Sequence, residues 1–226
     1  MLDRHRRIRP RHAHALRPSH ADSHPRRSPM KKFFPLLLVV IGLALCGVVV
    51  MRRGRTPAPK VGTHIDDFTL TNRMGQPFSA SQLKGKVWVA SFFFASCPTT
   101  CTKQNQAVAA LVEEFAPRGV KFVSITCDPE NDTPEALQEY ASKLQAKPDE
   151  WFFLTGDMTH IRQIGADAFH LFVGPRTHSN RLMLIDKWGN LRGRFDWQDP
   201  RELESLKKKI KKLLRETSPP DNSPSS

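Results

Sequence analysis

Two cysteines with three residues between them give this chain its first chemical signature. Cys97 and Cys101 lie in the run Phe94-Ala95-Ser96-Cys97-Pro98-Thr99-Thr100-Cys101, directly after the apolar stretch Val87 to Phe94. Such a stretch reads as a strand buried on both faces. Pro98 suits the first position of a helix following it. A cysteine there meets unpaired backbone N–H groups and the positive end of the helix dipole, which favour thiolate over thiol. Cys101 at i+4 shares the helix face, with Cβ atoms roughly 5–6 Å apart. Two sulfurs so placed can close a disulfide, exchange one with a partner, or converge on a soft metal such as Cu(I), zinc or an iron–sulfur unit. A zinc site would need a second ligand pair, such as a Cys-x-x-Cys, and the sequence has none. An inert bridge over so short a loop stabilises little.

His178, in Pro175-Arg176-Thr177-His178-Ser179, is the third donor to weigh. The loop enters the strand Leu182 to Ile185, and in a thioredoxin-like sheet that strand lies beside the one ending at Cys97. A neutral imidazole there completes an S₂N set that suits copper in either oxidation state. Taken alone, a loop histidine is more often a surface residue. Asp128, in Cys127-Asp128-Pro129, reads either as a turn former or as a carboxylate beside the thiols that steadies a ligand or meets a partner. Cys127 reads as a small buried hydrophobe or as an extra soft ligand able to attack a Cys97–Cys101 disulfide. His64, His160 and His170 read as bystanders.

The elements that position these residues follow a recognisable order. Asp67–Thr71 and Pro77–Ser79 form a hairpin. After the first buried strand come a helix with Val108, Leu111, Val112 and Phe115 on one face, the strand Val120–Thr126, and a helix over Thr133–Gln145 with Asp132 or Thr133 as its cap. The strand Trp151–Leu154 and a helix over Thr159–Phe169 continue the alternation. A hairpin joined by Lys187–Asn190 and an amphipathic helix from Pro200 to Leu214 complete it. This predicts an α/β, thioredoxin-like fold: a central mixed sheet flanked by helices, with an added N-terminal β-hairpin and a single N-terminal membrane anchor.

Charge separates the tail from the domain. Thirteen Lys/Arg and two Asp in residues 1–55 supply +11 of the formal +13, so the remainder is nearly neutral and a nucleic-acid face is excluded. The cluster Lys207 to Lys212 reads as the solvated face of the last helix. Residues 1–32 are basic, His-rich and expected to be disordered, with Met30 as an alternative start. Residues 33–50 are apolar throughout, long enough at the lower limit to span a membrane. Cys46 offers a lipoprotein reading, weakened by the leucine before it. The cationic flanks favour a cytoplasmic N-terminus and an exported domain. A linker over 51–62, the domain at 63–216 and a disordered tail at 217–226 complete the division.

Three separated motifs then resemble the SCO/SenC copper-chaperone family: Phe-Phe-Phe-Ala-Ser-Cys-Pro-Thr-Thr-Cys, the run Ser124 to Glu135, and His178-Ser179 ahead of Leu-Met-Leu-Ile-Asp. The likeness covers roughly residues 60–215. It implies a thioredoxin-like domain holding copper, as Cu(I) or Cu(II), through Cys97, Cys101 and His178. It further implies a role in maturing the copper centre of cytochrome c oxidase, with subunit II or another copper acceptor as partner. The expected location is a bacterial inner membrane, single-pass, with the domain facing the periplasm. The alternative is an enzyme, a thiol–disulfide oxidoreductase acting through Cys97 and Cys101 without essential copper.

Overall fold

Every residue of the strand Trp88–Phe93 is buried, as its unbroken apolar sequence requires of a strand covered on both faces. Around it the computed structural model, which describes residues 62–177 and 179–219, builds a seven-stranded mixed sheet. The chain divides into units 1–56 and 57–226, and the described residues belong to the second. The apolar run 33–50, Cys46 and His178 lie outside the described residues. Among the described residues no helix is long and apolar enough to cross a membrane.

In chain order the elements are β1 (Thr69–Asn72), β2 (Pro77–Ser79), β3 (Trp88–Phe93), α1 (Thr100–Phe115), β4 (Lys121–Thr126), α2 (Pro134–Lys143), β5 (Trp151–Thr155), α3 (Met158–Gln163), β6 (Arg181–Ile185), β7 (Leu191–Asp196) and α4 (Pro200–Arg215). The sheet order is β2-β1-β5-β4-β3-β6-β7. β3, β4 and β5 run parallel, whereas β6 runs antiparallel to β3 with Ala90 opposite Met183. The segment entering β6 therefore arrives at the end of β3 that leads to Cys97.

Alternation along the central strands sends their side chains into two cores. Val89, Phe122, Trp151 and Phe153 join α1, α2 and α4 in one, together with Cys97 and Cys101. Ala90, Phe92, Val123, Ile125 and Cys127 join the N-terminal hairpin and α3 in the other. Among the described residues, the buried members of both cores lie within residues 65–213.

Three local expectations change. Pro98 is not in the helix: α1 begins at Thr100 with Thr99 at its cap position, because the chain first turns at Phe94–Cys97, where the Cys97 N–H reaches the Phe94 carbonyl at 3.3 Å. The helix expected over Thr159–Phe169 is α for six residues only, then widens into a π-turn at Ile164–Ala168. Within it the Val173 side chain packs directly against Gly165, where a Cβ would collide with it. The Lys207–Lys212 cluster is not merely solvated, for Lys207 and Lys211 both grip Glu114 of α1, at 3.0 and 2.9 Å. Thr133 is the α2 cap, its hydroxyl accepting from the Ala136 N–H, with Pro134 next.

Candidate thiol site

Cys97 is held by its own backbone neighbours. The Ala95 N–H donates to the Asp132 carboxylate at 3.0 Å, and Thr126 donates its hydroxyl to the same oxygen. The Thr126 hydroxyl in turn accepts the Asp128 N–H at 2.9 Å. These bonds fasten the turn after β3 to the turn after β4. On the helix side, Thr102 donates its hydroxyl to the Cys97 carbonyl at 3.2 Å. The Cys101 N–H points at the Cys97 sulfur, 3.4 Å away. No side chain at Thr99 caps α1, and the Cys97 sulfur takes one of the N–H groups that a cap hydroxyl would otherwise receive.

The two thiols are electrostatically unlike. Burial works to raise the Cys97 pKa, but N–H groups of Cys101, Thr99 and Thr100 and the Cys101 thiol outweigh it, and the net shift is downward. Cys101, almost wholly buried, is pushed up to about 12, first by burial and then by hydrogen bonding and repulsion from Cys97. The pair thus sets a thiolate-prone sulfur against a proton-holding one. Asp132 is itself raised, chiefly by burial, although the bonds from Thr126 and Ala95 pull the other way.

The opposite wall is the loop before β6. The Arg176 N–H donates to the Cys127 carbonyl at 2.8 Å, while its guanidinium lies 5.5 Å over the Phe94 ring and 3.8 Å from Asp128 Oδ2. Asp128 is the turn former read from the sequence. Its carbonyl and side chain organise the turn through Asn131 and Asp132, and its second oxygen, buried without a hydrogen bond among the described residues, faces Arg176. Cys127 is a buried thiol at the end of β4, its N–H bonded to the Phe93 carbonyl at 2.7 Å. It belongs to the core across the sheet from Cys97 and Cys101. No group of three His, Cys, Asp or Glu suited to a metal ion occurs among the described residues, from which His178 is missing. The structure thus fastens the turn that carries Cys97 to Asp132 and packs Arg176, two residues before His178, against Phe94 and Asp128.

Asp132 and Arg176 are the site residues the sequence reading did not assign. Asp132, preceding Thr-Pro, resembled a helix cap, and Arg176 is one more surface cation in a loop. Neither carries a periodic signature.

Cys127 offers a test of its burial. Burial, with repulsion from Cys101 and Asp132, pushes its thiol up to about 12. In the unfolded chain it ionises near ~8.5, so between those values the folded state keeps a proton that the unfolded state has lost. Stability therefore falls as pH rises through that window. Cys127→Ala removes this contribution, and its melting temperature is expected to decline less steeply than that of the wild type above about pH 9. Parallel curves would show that the thiol is not so confined.

Comparison with known proteins adds to this geometry. The SCO1/SenC family profile matches residues 57–215. The SCO1 protein homologue of Bacillus subtilis (strain 168) is 30% identical over 139 residues, covering 60% of this chain and 69% of that protein. The solved structure of a SCO1/SenC family lipoprotein from Bacillus anthracis superposes with a TM-score of 0.62 at 30% identity, covering 70% of this chain and 99% of that one. The structure of Bradyrhizobium japonicum ScoI with copper bound superposes with a TM-score of 0.55, covering 67% and 99%. At 21% identity, that likeness speaks to the fold, which is thioredoxin-like in all of them.

Proposed function

Because this chain belongs to the SCO1/SenC family, we propose that it is a membrane-tethered copper chaperone for the assembly of cytochrome c oxidase. Cys97 and Cys101 receive copper through their sulfurs, His178 supplies a third donor, and the ion passes by ligand exchange to an acceptor protein, with subunit II as the proposed recipient. The observation that carries this reading is the sulfur pair itself: the Cys97 sulfur stands 3.4 Å from the Cys101 N–H, within a cradle of N–H groups that favours its thiolate. Soft thiolates suit copper, and an imidazole beside them suits both its oxidation states. Support also comes from the copper-bound structures of B. japonicum ScoI and yeast Sco1, and from a neighbour described as a member of the Sco family of cytochrome c oxidase assembly proteins. The apolar run 33–50 and the lipoprotein nature of the B. anthracis relative support a tether. The proposed setting is a bacterial inner membrane, crossed once, with the domain in the periplasm.

The test compares wild type with His178→Ala. Reduced wild-type domain (residues 57–226) is expected to retain about one copper per chain against a moderate chelator, and with Cu(II) to show an intense sulfur-to-copper absorption. His178→Ala should lose retention and shift the band. Unchanged retention and spectrum would remove His178 from the site.

The unlike pKa values of the two thiols favour a second reading, a thiol–disulfide reductase. The Cys97 thiolate attacks a partner disulfide, one partner sulfur leaves as thiolate, and a mixed disulfide forms. Cys101 then gives up its proton and attacks the Cys97 sulfur, releasing the second partner thiolate, so that two electrons pass to the partner. Cys101→Ser should trap the mixed disulfide in a copper-free preparation; its absence under conditions that oxidise the wild-type pair would reject this reading.

A further inference from the structure

Because β3, β4 and β5 run parallel and β6 runs against them, one end of the sheet carries Cys97. The other end gathers the entries to those three strands and the turn between β6 and β7. That second end is basic. Lys84 and Lys86 stand exposed just before β3, Lys121 opens β4, and Lys187 lies in the β6–β7 turn. Lys212 and Arg215 arrive at the end of α4, where Lys187 Nζ donates to the carbonyls of Leu214 and Glu216 at 3.0 and 2.9 Å. Lys212 and Arg215 also complement the negative end of the α4 dipole, a structural reason for their presence. Lys86 has no such reason, for it belongs to no α-helix and makes no ion pair among the described residues, while Lys84 acts by its charge on Asp67 across the hollow.

Several carboxylates at this end are already matched. Glu114 is held by Lys207 and Lys211, Glu150 by Lys147, and Asp186 and Glu216 by Arg192, which leaves Asp66, Asp67, Glu113 and Asp149 against the cations above, with Lys121 Nζ donating to the Asp149 carbonyl at 2.6 Å. Beside the lysines opens a hollow of about 360 Å³ lined by Ile65, Leu83, Trp88 and the half-exposed Trp188. Asp66 and Asp67 also line it, Asp67 being occupied by Ser79 and Ser81. The described chain enters here too, with the Gly62 N–H on the Leu191 carbonyl and the Ile65 N–H on the Gly189 carbonyl.

From these features we infer that the end of the sheet opposite the thiols rests on an anionic phospholipid surface. Lys84 and Lys86 meet headgroup phosphates, and Trp188 sits at the boundary with the acyl chains. Cations beside an apolar hollow and an indole match that boundary, whereas a nucleic-acid face would be a continuous basic strip. The thiol end is then directed away from the bilayer. The proposed tether supplies only the setting, and neither copper nor residues 33–50 enters the test.

The test is co-sedimentation of residues 57–226, which contain both cores whole, with vesicles of equimolar phosphatidylglycerol and phosphatidylcholine, and with phosphatidylcholine alone. Binding is expected only to the anionic vesicles and should weaken with salt. The double variant Lys84→Glu/Lys86→Glu should lower it on the order of tenfold or more. Lys103→Glu, at the thiol end, should lower it far less. Brominated lipids should quench emission in the wild type and much less in Trp188→Phe. Three results would overturn the inference: no binding at low salt, equal loss in the Lys103 variant, or duplex DNA bound as tightly as the vesicles. Loss of copper binding would leave it standing, and its own failure would leave the copper reading intact.

Discussion

With limiting iodoacetamide at neutral pH, the reduced domain should be alkylated at Cys97 about 30–60-fold faster than at Cys101, as a lower bound. The bound follows from the two thiols. Cys101 is held near about 12, whereas Cys97 lies below the ordinary 9.0, so their thiolate fractions differ by at least roughly a thousandfold. A more basic thiolate is intrinsically more nucleophilic, which returns about 15–30-fold of that advantage to Cys101. Access adds to the preference, since Cys97 is 5% exposed and Cys101 1%. The sign with pH is fixed as well: labelling of Cys97 should fall as pH drops through its depressed pKa and level off above it. Mass spectrometry of the two peptides after partial reaction checks this. Equal labelling, or Cys101 leading, would show that the N–H groups around Cys97 do not hold a thiolate.

The second large effect concerns Asp132. Its carboxylate receives the Ala95 N–H and the Thr126 hydroxyl, and it is only 2% exposed. Asp132→Ala strands both donors, and a buried donor left unmatched costs about 1–3 kcal/mol. A loss of about 2–5 kcal/mol in denaturant unfolding is therefore expected, with faster hydrogen exchange at the Ala95 amide. Copper retention should fall too, because the turn carrying Cys97 loses its fastening to β4. Asp132→Asn keeps one carbonyl acceptor and should recover part of each loss. A variant as stable as wild type, with the Ala95 amide still protected, would remove Asp132 from its positioning role.

The legible and illegible parts of the molecule divide by how far each depends on distant contacts. The apolar run of β3, the hairpin turn at Lys187–Asn190 and the Thr133-Pro134 helix start are local signals, and each produced its element. The i+4 spacing of Cys97 and Cys101 does not put both on one helix face, since Cys97 lies in the turn before α1. The late start of α1 at Thr100 was hidden because the competing turn is fixed by Asp132, thirty-five residues beyond Cys97. The π-turn at Ile164–Ala168 has no local signature, and the side chain that covers Gly165 within it, Val173, comes from the following loop. Cys127 could be read as a buried hydrophobe, but the face it takes depends on where β4 ends against β3. His178 lies outside the described residues, and its role continues to rest on sequence and on copper binding in the proposed test.

The partition of the interior by the sheet has a bearing on how such a domain can change over generations. Cys97 and Cys101 share their core with α1, α2 and α4, whereas Phe92, Ile125 and Phe169 pack on the other side. Substitutions in separate cores couple weakly, because their side chains share few neighbours. The face holding α3 and the N-terminal hairpin can therefore accumulate compensated changes without retuning the sulfur pair. Variation on the α1 and α2 face would meet selection on reactivity as well as on packing. Homologous chains are expected to drift apart asymmetrically, one side of the same sheet evolving as scaffold and the other as instrument.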